Sequence, residues 1–225
     1  MPMTENKPPV EIIYFSDVLC IWAYAAEVRL QELHKNFGAK IKVVERFSPV
    51  FADTNVKVGQ GWKDRGGYKG FGENVQKTAH ELGYIKVNEK VWRDVRPTTS
   101  TQAHMFVKAL QILGEASQET AFAHGLRKAF FIDAKDISNI DVLFKLAGEQ
   151  GLPVDKIKSQ LDTGTAQAAL MADHKAHYDQ HVKGSPTYIM NHGRQVLFGN
   201  VGYRILEANV MELIEQPHDN RASWC

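Results

Sequence analysis

After Pro8-Pro9 the chain runs Val10-Glu-Ile-Ile-Tyr-Phe15, short, apolar and rich in β-branched and aromatic residues, which predicts a buried strand. From Trp22 to Phe37 the period changes: Ala26, Leu30, Leu33 and Phe37 recur at i, i+4, i+7 and i+11, and Gly38 follows. That is the pattern of an amphipathic helix stopped by a glycine. Lys40 to Phe47 returns to β-type residues before Pro49, so strand, helix and strand fit a right-handed unit with parallel strands. Glu73 to about Val182 is helical in period, broken at Gly83, Pro97, Gly114, Gly151-Leu-Pro153 and Gly164. Ser100 or Thr101, Ser138 or Asn139, and Thr165 stand where caps are needed. Thr187-Tyr-Ile-Met190 and Gln195-Val-Leu-Phe198 flank Asn191-His-Gly193, a hairpin signal, and a last helix spans Tyr203 to Ile214.

The order βαβ, helical block, ββα predicts an α/β fold with a large helical insertion, because the outer strands and helices need each other for a core. The expected partition is a disordered leader at 1–9, one domain from 10–72 and 183–217, an insertion over 73–182, and a tail at 218–225. Six glycines between Gly59 and Gly72, interleaved with Trp62, Lys63, Arg65, Tyr68 and Phe71, read as a mobile loop, with a lid over a site as its functional form. A phosphate cradle does not fit, since Gly59-x-Gly61 does not lead from a strand into a helix and no Gly-Lys-Ser/Thr occurs.

Composition narrows the function classes. At 44% hydrophobic and 24% charged residues over 225 positions, the chain has the make-up of a folded globular protein. Lys and Arg number 27 against 26 Asp and Glu, so there is no broad field to hold a polyanion, and nucleic acid is not an expected partner. No run of 18 apolar residues occurs, so no membrane partner is expected. The N-terminus lacks the basic and apolar regions of a signal peptide, and a cytoplasmic location is expected. The two cysteines, Cys20 and Cys225, stand at opposite ends of the chain and do not make a disulfide framework.

Cys20 falls between the first strand and the first helical turn, where unpaired backbone N–H groups and the helix dipole favour an anion. A thiolate nucleophile of lowered pKa is one reading, and an inert buried cysteine the other. Gly184-Ser-Pro-Thr187 places a proline at a strand start, as a simple turn or as a cis bond. His174, His177 and His181 share a helical face, readable as a solvated surface or as ligands, but no second ligand pair has metal spacing, so no metal is expected. His104 reads as a packing or capping residue, and Trp22 as a core residue or as one that shapes the surface around the sulfur.

Taken together these segments resemble the DsbA-like branch of the thioredoxin superfamily, which includes FrnE-type oxidoreductases, 2-hydroxychromene-2-carboxylate isomerases and kappa-class glutathione transferases. Tyr14-Phe-Ser-Asp-Val-Leu-Cys-Ile-Trp-Ala-Tyr24 is similar to the family's D-x-x-C-P-W-C-Y segment. Ala129-Phe-Phe131, Asp136-Ile137 and the Leu143 to Leu152 stretch resemble its helical insertion, and Val182-Lys-Gly-Ser-Pro-Thr-Tyr188 its cis-proline loop. The resemblance implies a thioredoxin-like sheet, Cys20 as nucleophile and Pro186 beside it. It further implies Trp22, Tyr24, Ser185, Pro186, Thr187 and Asn200 as substrate-binding residues. His181, five residues before Pro186, is a further candidate near the thiol.

The departures set the mechanism. Ile21 replaces the usual proline and Ala23 the resolving cysteine, so a dithiol cycle within the motif is impossible. Cys20 can still form a mixed disulfide, released by an external thiol; Cys225 is a remote alternative in the tail. In the isomerase and transferase branches serine commonly stands at the position of Cys20, and Gly199-Asn200 keeps half of a glutathione-holding stretch whose acidic-basic pair is Val201-Gly202 here, with Arg204 nearby. Three functions therefore stay open: a single-cysteine thiol-disulfide oxidoreductase, a glutathione-dependent isomerase or transferase, and a non-catalytic binding module. No tightly bound cofactor is expected. Glutathione as co-substrate, a thiol or disulfide peptide as substrate, and a homodimer are the expected partners.

Overall fold

A computed structural model describes residues 8–217. Four strands, β1 (Val10–Ser16), β2 (Ile41–Phe47), β3 (Thr187–Met190) and β4 (Gln195–Phe198), form one sheet in the order β2-β1-β3-β4. β1 and β2 are parallel, joined by helix α1 (Ile21–Phe37), while β3 runs antiparallel to both β1 and β4. This is the predicted βαβ unit closed by a hairpin, a mixed α/β sheet of thioredoxin type.

Alternation along β1 divides the layers, since successive side chains of a strand point to opposite faces. Ile12 and Tyr14 pack with Ala26 and Leu33 of α1, with Tyr188 and Met190, and with Leu206, Val210 and Leu213 of α8 (Tyr203–Glu215). Phe15 turns to the other face, against Ile189 and Val182. Between β2 and β3 the chain builds six helices: α2 (Gly67–Leu82), α3 (Thr101–Ile112), α4 (Ala116–Phe131), α5 (Ile140–Glu149), α6 (Val154–Asp162) and α7 (Thr165–Asp179). Their shared core continues into the first turn of α1, joining Val18, Leu19 and Ala23 to Phe106, Leu126 and Leu170. Asn139 caps α5 by accepting the Asp141 N–H. Ser100 precedes α3, but its hydroxyl is directed elsewhere, to Asp17.

The glycine-rich segment is not the expected loop. Asn55–Gln60 forms a π-helical turn, Lys63–Arg65 a 3-10 turn, and α2 begins at Gly67. Gly70 explains one glycine, because a Cβ there would lie 1.8 Å from the Arg65 carbonyl oxygen. Close backbone approach, rather than mobility, requires the missing side chain. The Arg65 guanidinium lies 3.8 Å from the Trp62 ring centre, closing the turn from outside.

Trp92 is the hub of the aromatic core beneath this segment. It is fully buried, with Phe130, Phe71 and Phe51 ring centres at 5.2, 5.4 and 5.5 Å. Its indole N–H has no hydrogen-bond partner among the described residues, so the ring is held by packing. Trp92→Ala is expected to destabilise the fold by about 3–5 kcal/mol through the cavity it leaves, read as a lower urea midpoint. Ile205→Ala, on the exposed side of α8, should change stability by about 0.5 kcal/mol or less; equal midpoints for the two variants would refute this assignment of the core.

Candidate active site

Register brings the site together. Phe15 of β1 pairs with Thr187 of β3, so the segment leaving β1 meets the segment entering β3. The Asp17 N–H donates to Ser185 Oγ at 2.9 Å, and the Cys20 thiol donates to the Ser185 carbonyl at 3.2 Å across 165 residues of sequence. The Ser185–Pro186 peptide bond is cis, and the Pro186 carbonyl accepts the Gly199 N–H at 2.9 Å. Thr187 Oγ1 donates back to the Gly184 carbonyl at 2.7 Å, fixing the loop before the strand.

Cys20 sits at the N-terminal boundary of α1 and on the floor of an open cleft of about 580 Å³. It is only 5% exposed. Trp22, Trp62, Phe71, Tyr178 and Phe198 supply the aromatic walls, with Lys57 and Lys183 as the cations. Trp22 is 37% exposed and shapes the mouth of the cleft.

The helix-start expectation for the thiol is corrected by burial. Desolvation pushes the Cys20 thiol above its ordinary value of 9.0, outweighing the Ser185 side-chain hydroxyl and the backbone N–H groups of Ala23 and Trp22. The Asp17 carboxylate opposes the thiolate as well. At neutral pH the resting group is therefore the protonated thiol.

Asp17, present in the sequence as the acidic residue of the D-x-x-C segment but given no role there, proves central. Its carboxylate is fully buried and accepts from the Leu19 and Phe51 N–H groups, each at 2.9 Å, and from the Ser100 hydroxyl at 2.8 Å. Burial nevertheless pushes its pKa up from 3.8 to about 6. His104 lies 3.7 Å from Asp17, but its Nε2 already accepts the Val18 N–H at 3.2 Å and burial holds its pKa well below 6.5. The ring is neutral and stacks on Phe47 at 4.2 Å, a packing role in line with the sequence reading.

Other candidates are dispersed. Tyr24 leaves the cleft to stack on Phe131 at 4.8 Å. Asn200, Arg204 and His181 are exposed and do not line the cleft. From the histidine face it is His177 that reaches the cleft, its Nδ1 paired with Ser48 Oγ at 3.2 Å. Among the described residues no group of histidine, cysteine or carboxylate side chains is placed to hold a metal ion. Cys225 lies outside the described residues. Lys57 escaped the sequence reading because nothing in its spacing links it to Cys20; Lys183 and His177 were in view, in the cis-proline loop and on the histidine face, but without a role at the thiol.

Comparison with known proteins gives a consistent fold. The DSBA-like thioredoxin domain matches residues 11–210. A putative protein disulfide isomerase from Nitrosomonas europaea superposes with a TM-score of 0.72 at 16% identity, covering 94% of this chain and 100% of that one. The cytosolic disulfide reductase DsbM from Pseudomonas aeruginosa, solved with GSH, gives 0.64 at 16% identity over 89% of this chain and 99% of that one. The ClpXP adapter protein SpxH from Halalkalibacterium halodurans is 26% identical over 194 residues, 82% of this chain. The chain spans 60% of that relative's length.

Asp17 yields a two-part prediction. Because its folded pKa lies above 3.8, the stability linked to its proton is complete below that pH and is lost as pH rises toward about 6. Asp17→Asn should abolish this part of the decline, although one amide oxygen cannot serve three donors and about 1–3 kcal/mol is lost throughout. The variant should also lower the Cys20 pKa and speed iodoacetamide alkylation at pH 8. Unchanged alkylation would show that the two groups are not coupled.

Proposed function

This chain belongs to the DSBA-like thioredoxin domain family, and on that premise we propose that it is a thiol-disulfide oxidoreductase acting through the single nucleophile Cys20. The carrying observation is the Cys20 thiol on the floor of an aromatic cleft, 3.2 Å from the carbonyl of Ser185 beside cis Pro186. After losing its proton, the Cys20 sulfur attacks one sulfur of a disulfide. A new S–S bond forms to Cys20, the old one breaks, and the second sulfur leaves with the electron pair as a thiolate. With Ala23 in the next cysteine position of the motif, an external thiol must attack this mixed disulfide to regenerate Cys20. Glutathione is the proposed partner, supported by DsbM solved with GSH and by the two cations, Lys57 and Lys183, facing a tripeptide that carries two carboxylates.

A buried, protonated thiol makes this a pH-limited reagent. Thiolate is the attacking species, while a high thiol pKa gives a more nucleophilic sulfur once ionised. Such a balance suits slow exchange with a partner held in the cleft. It also supports a second reading, a binding module whose cleft receives an extended segment of another protein. The SpxH relative, a ClpXP adapter by name, favours that reading too.

Intact-mass measurement after incubation with oxidised glutathione separates the two. One glutathione adduct is expected in Cys225→Ser, and none in the Cys20→Ser/Cys225→Ser double variant. Adduct formation should accelerate about tenfold per pH unit from pH 7 to 9, following the thiolate fraction. Absence of an adduct at Cys20 across that range would overturn the oxidoreductase and leave the binding module.

A further inference from the structure

His177 turns from the end of α7 into the wall of the Cys20 cleft and is only 9% exposed. Its ring lies edge-on to Phe15, with centres 6.1 Å apart, and perpendicular to Tyr178 at 5.2 Å. Nδ1 meets Ser48 Oγ at 3.2 Å, and the ring makes no other hydrogen bond among the described residues. Asp173, one turn earlier, is taken by the Lys108 ammonium at 2.9 Å and the Phe47 N–H at 3.1 Å. Ser48 and packing therefore orient the imidazole, without an ion pair.

The Ser48 contact decides where the ring proton sits. Burial lowers the His177 pKa from 6.5, so at neutral pH the imidazole is uncharged, with one nitrogen a donor and the other an acceptor. Ser48 is fully buried, and among the described residues its hydroxyl proton has no acceptor except Nδ1. Nδ1 therefore accepts from the hydroxyl, and the ring's own proton is on Nε2. The two nitrogens point away from each other, so with Nδ1 directed at Ser48 the Nε2–H is left to the cleft side. A buried, fixed donor stands there without an acceptor.

Disulfide exchange supplies one. In-line attack by Cys20 sets the leaving sulfur about 4 Å or more from the Cys20 sulfur, two S–S bond lengths away, in the cleft rather than at its floor. The donors of the floor, the Ser185 hydroxyl and the N–H groups of Ala23 and Trp22, already gather on Cys20 itself. Lys57 and Lys183 are exposed and must be ordered before they can act, whereas the His177 donor is in place. We propose that His177 Nε2–H donates to the leaving sulfur, and that the cleft thereby favours disulfides whose leaving group is an ordinary alkyl thiolate, as from a cysteine in a peptide or in glutathione. This rests on the single-cysteine reading of Cys20. As the bond to Cys20 forms and the old S–S bond breaks, the leaving sulfur takes the electron pair and accepts the hydrogen bond, and solvent then protonates it. An aromatic thiolate of low pKa leaves without such help.

The test compares rates of adduct formation at Cys20, in the full chain carrying Cys225→Ser, with oxidised glutathione and with 5,5′-dithiobis(2-nitrobenzoate) at pH 8. His177→Leu should slow the glutathione reaction about tenfold or more, the worth of one hydrogen bond to a charged atom, and change the aromatic reaction about twofold or less. His177→Gln, which keeps an N–H donor near the Nε2 position, should recover part of the glutathione rate. Equal slowing with both reagents would reduce His177 to a structural support and overturn the proposal, as would an unchanged glutathione rate in His177→Leu. A parent chain that reacts with neither reagent at Cys20 would remove the single-cysteine reading itself, and this inference with it.

Discussion

The antiparallel register of β1 against β3 governs the chemistry of this protein. With Phe15 opposite Thr187, the two segments beyond that pair must cross at the sheet's end. There the Asp17 N–H reaches the Ser185 hydroxyl and the Cys20 thiol reaches the Ser185 carbonyl. A shift of one residue would send every side chain of β3 to the opposite face. Tyr188 and Met190 would leave the core they share with α1 and α8, so the packing that stabilises the sheet also fixes the sulfur.

Two opposing effects then decide what that sulfur is. The first turn of α1 offers the N–H groups that would stabilise a thiolate, and sequence position alone points to a lowered pKa. Yet the same turn is packed into the helical core with Val18, Leu19 and Ala23, and Asp17 places a carboxylate behind it. Desolvation wins because it acts on the whole charge, whereas the N–H groups of the turn offset part of it. The result is a neutral thiol beside a carboxyl pushed up to about 6, so charge at this site changes first at Asp17.

Much of the fold was legible in the chain because the outer strands carry clean periodicity: Val10–Ser16, Ile41–Phe47 and the hairpin around Asn191 stand where the patterns place them. The stretch from Gly59 to Gly72 was misread because glycine has two uses, freedom and close approach, and Gly70 against the Arg65 carbonyl is the second. Pro186 beside Cys20 was expected from family resemblance; the atom that meets the thiol is the carbonyl of Ser185, one residue earlier. Asp17's role was not legible: the acidic residue of the D-x-x-C segment has no visible partner in the sequence until the fold brings the Phe51 N–H and the Ser100 hydroxyl to join the N–H of its neighbour Leu19. His177 displaced His181 in the cleft for a similar reason: helical spacing puts both on one face, and only the end of α7 decides which one turns inward.

Titration of the Cys20 thiol in Cys225→Ser, followed by thiolate ultraviolet absorbance, tests the central claim most directly. If burial outweighs the hydrogen bonds that favour the anion, thiolate appears only above the ordinary value of 9.0. A transition well below pH 8 would mean that the helix start outweighs desolvation. The buried, carbonyl-bound thiol on which this account rests would then be wrong.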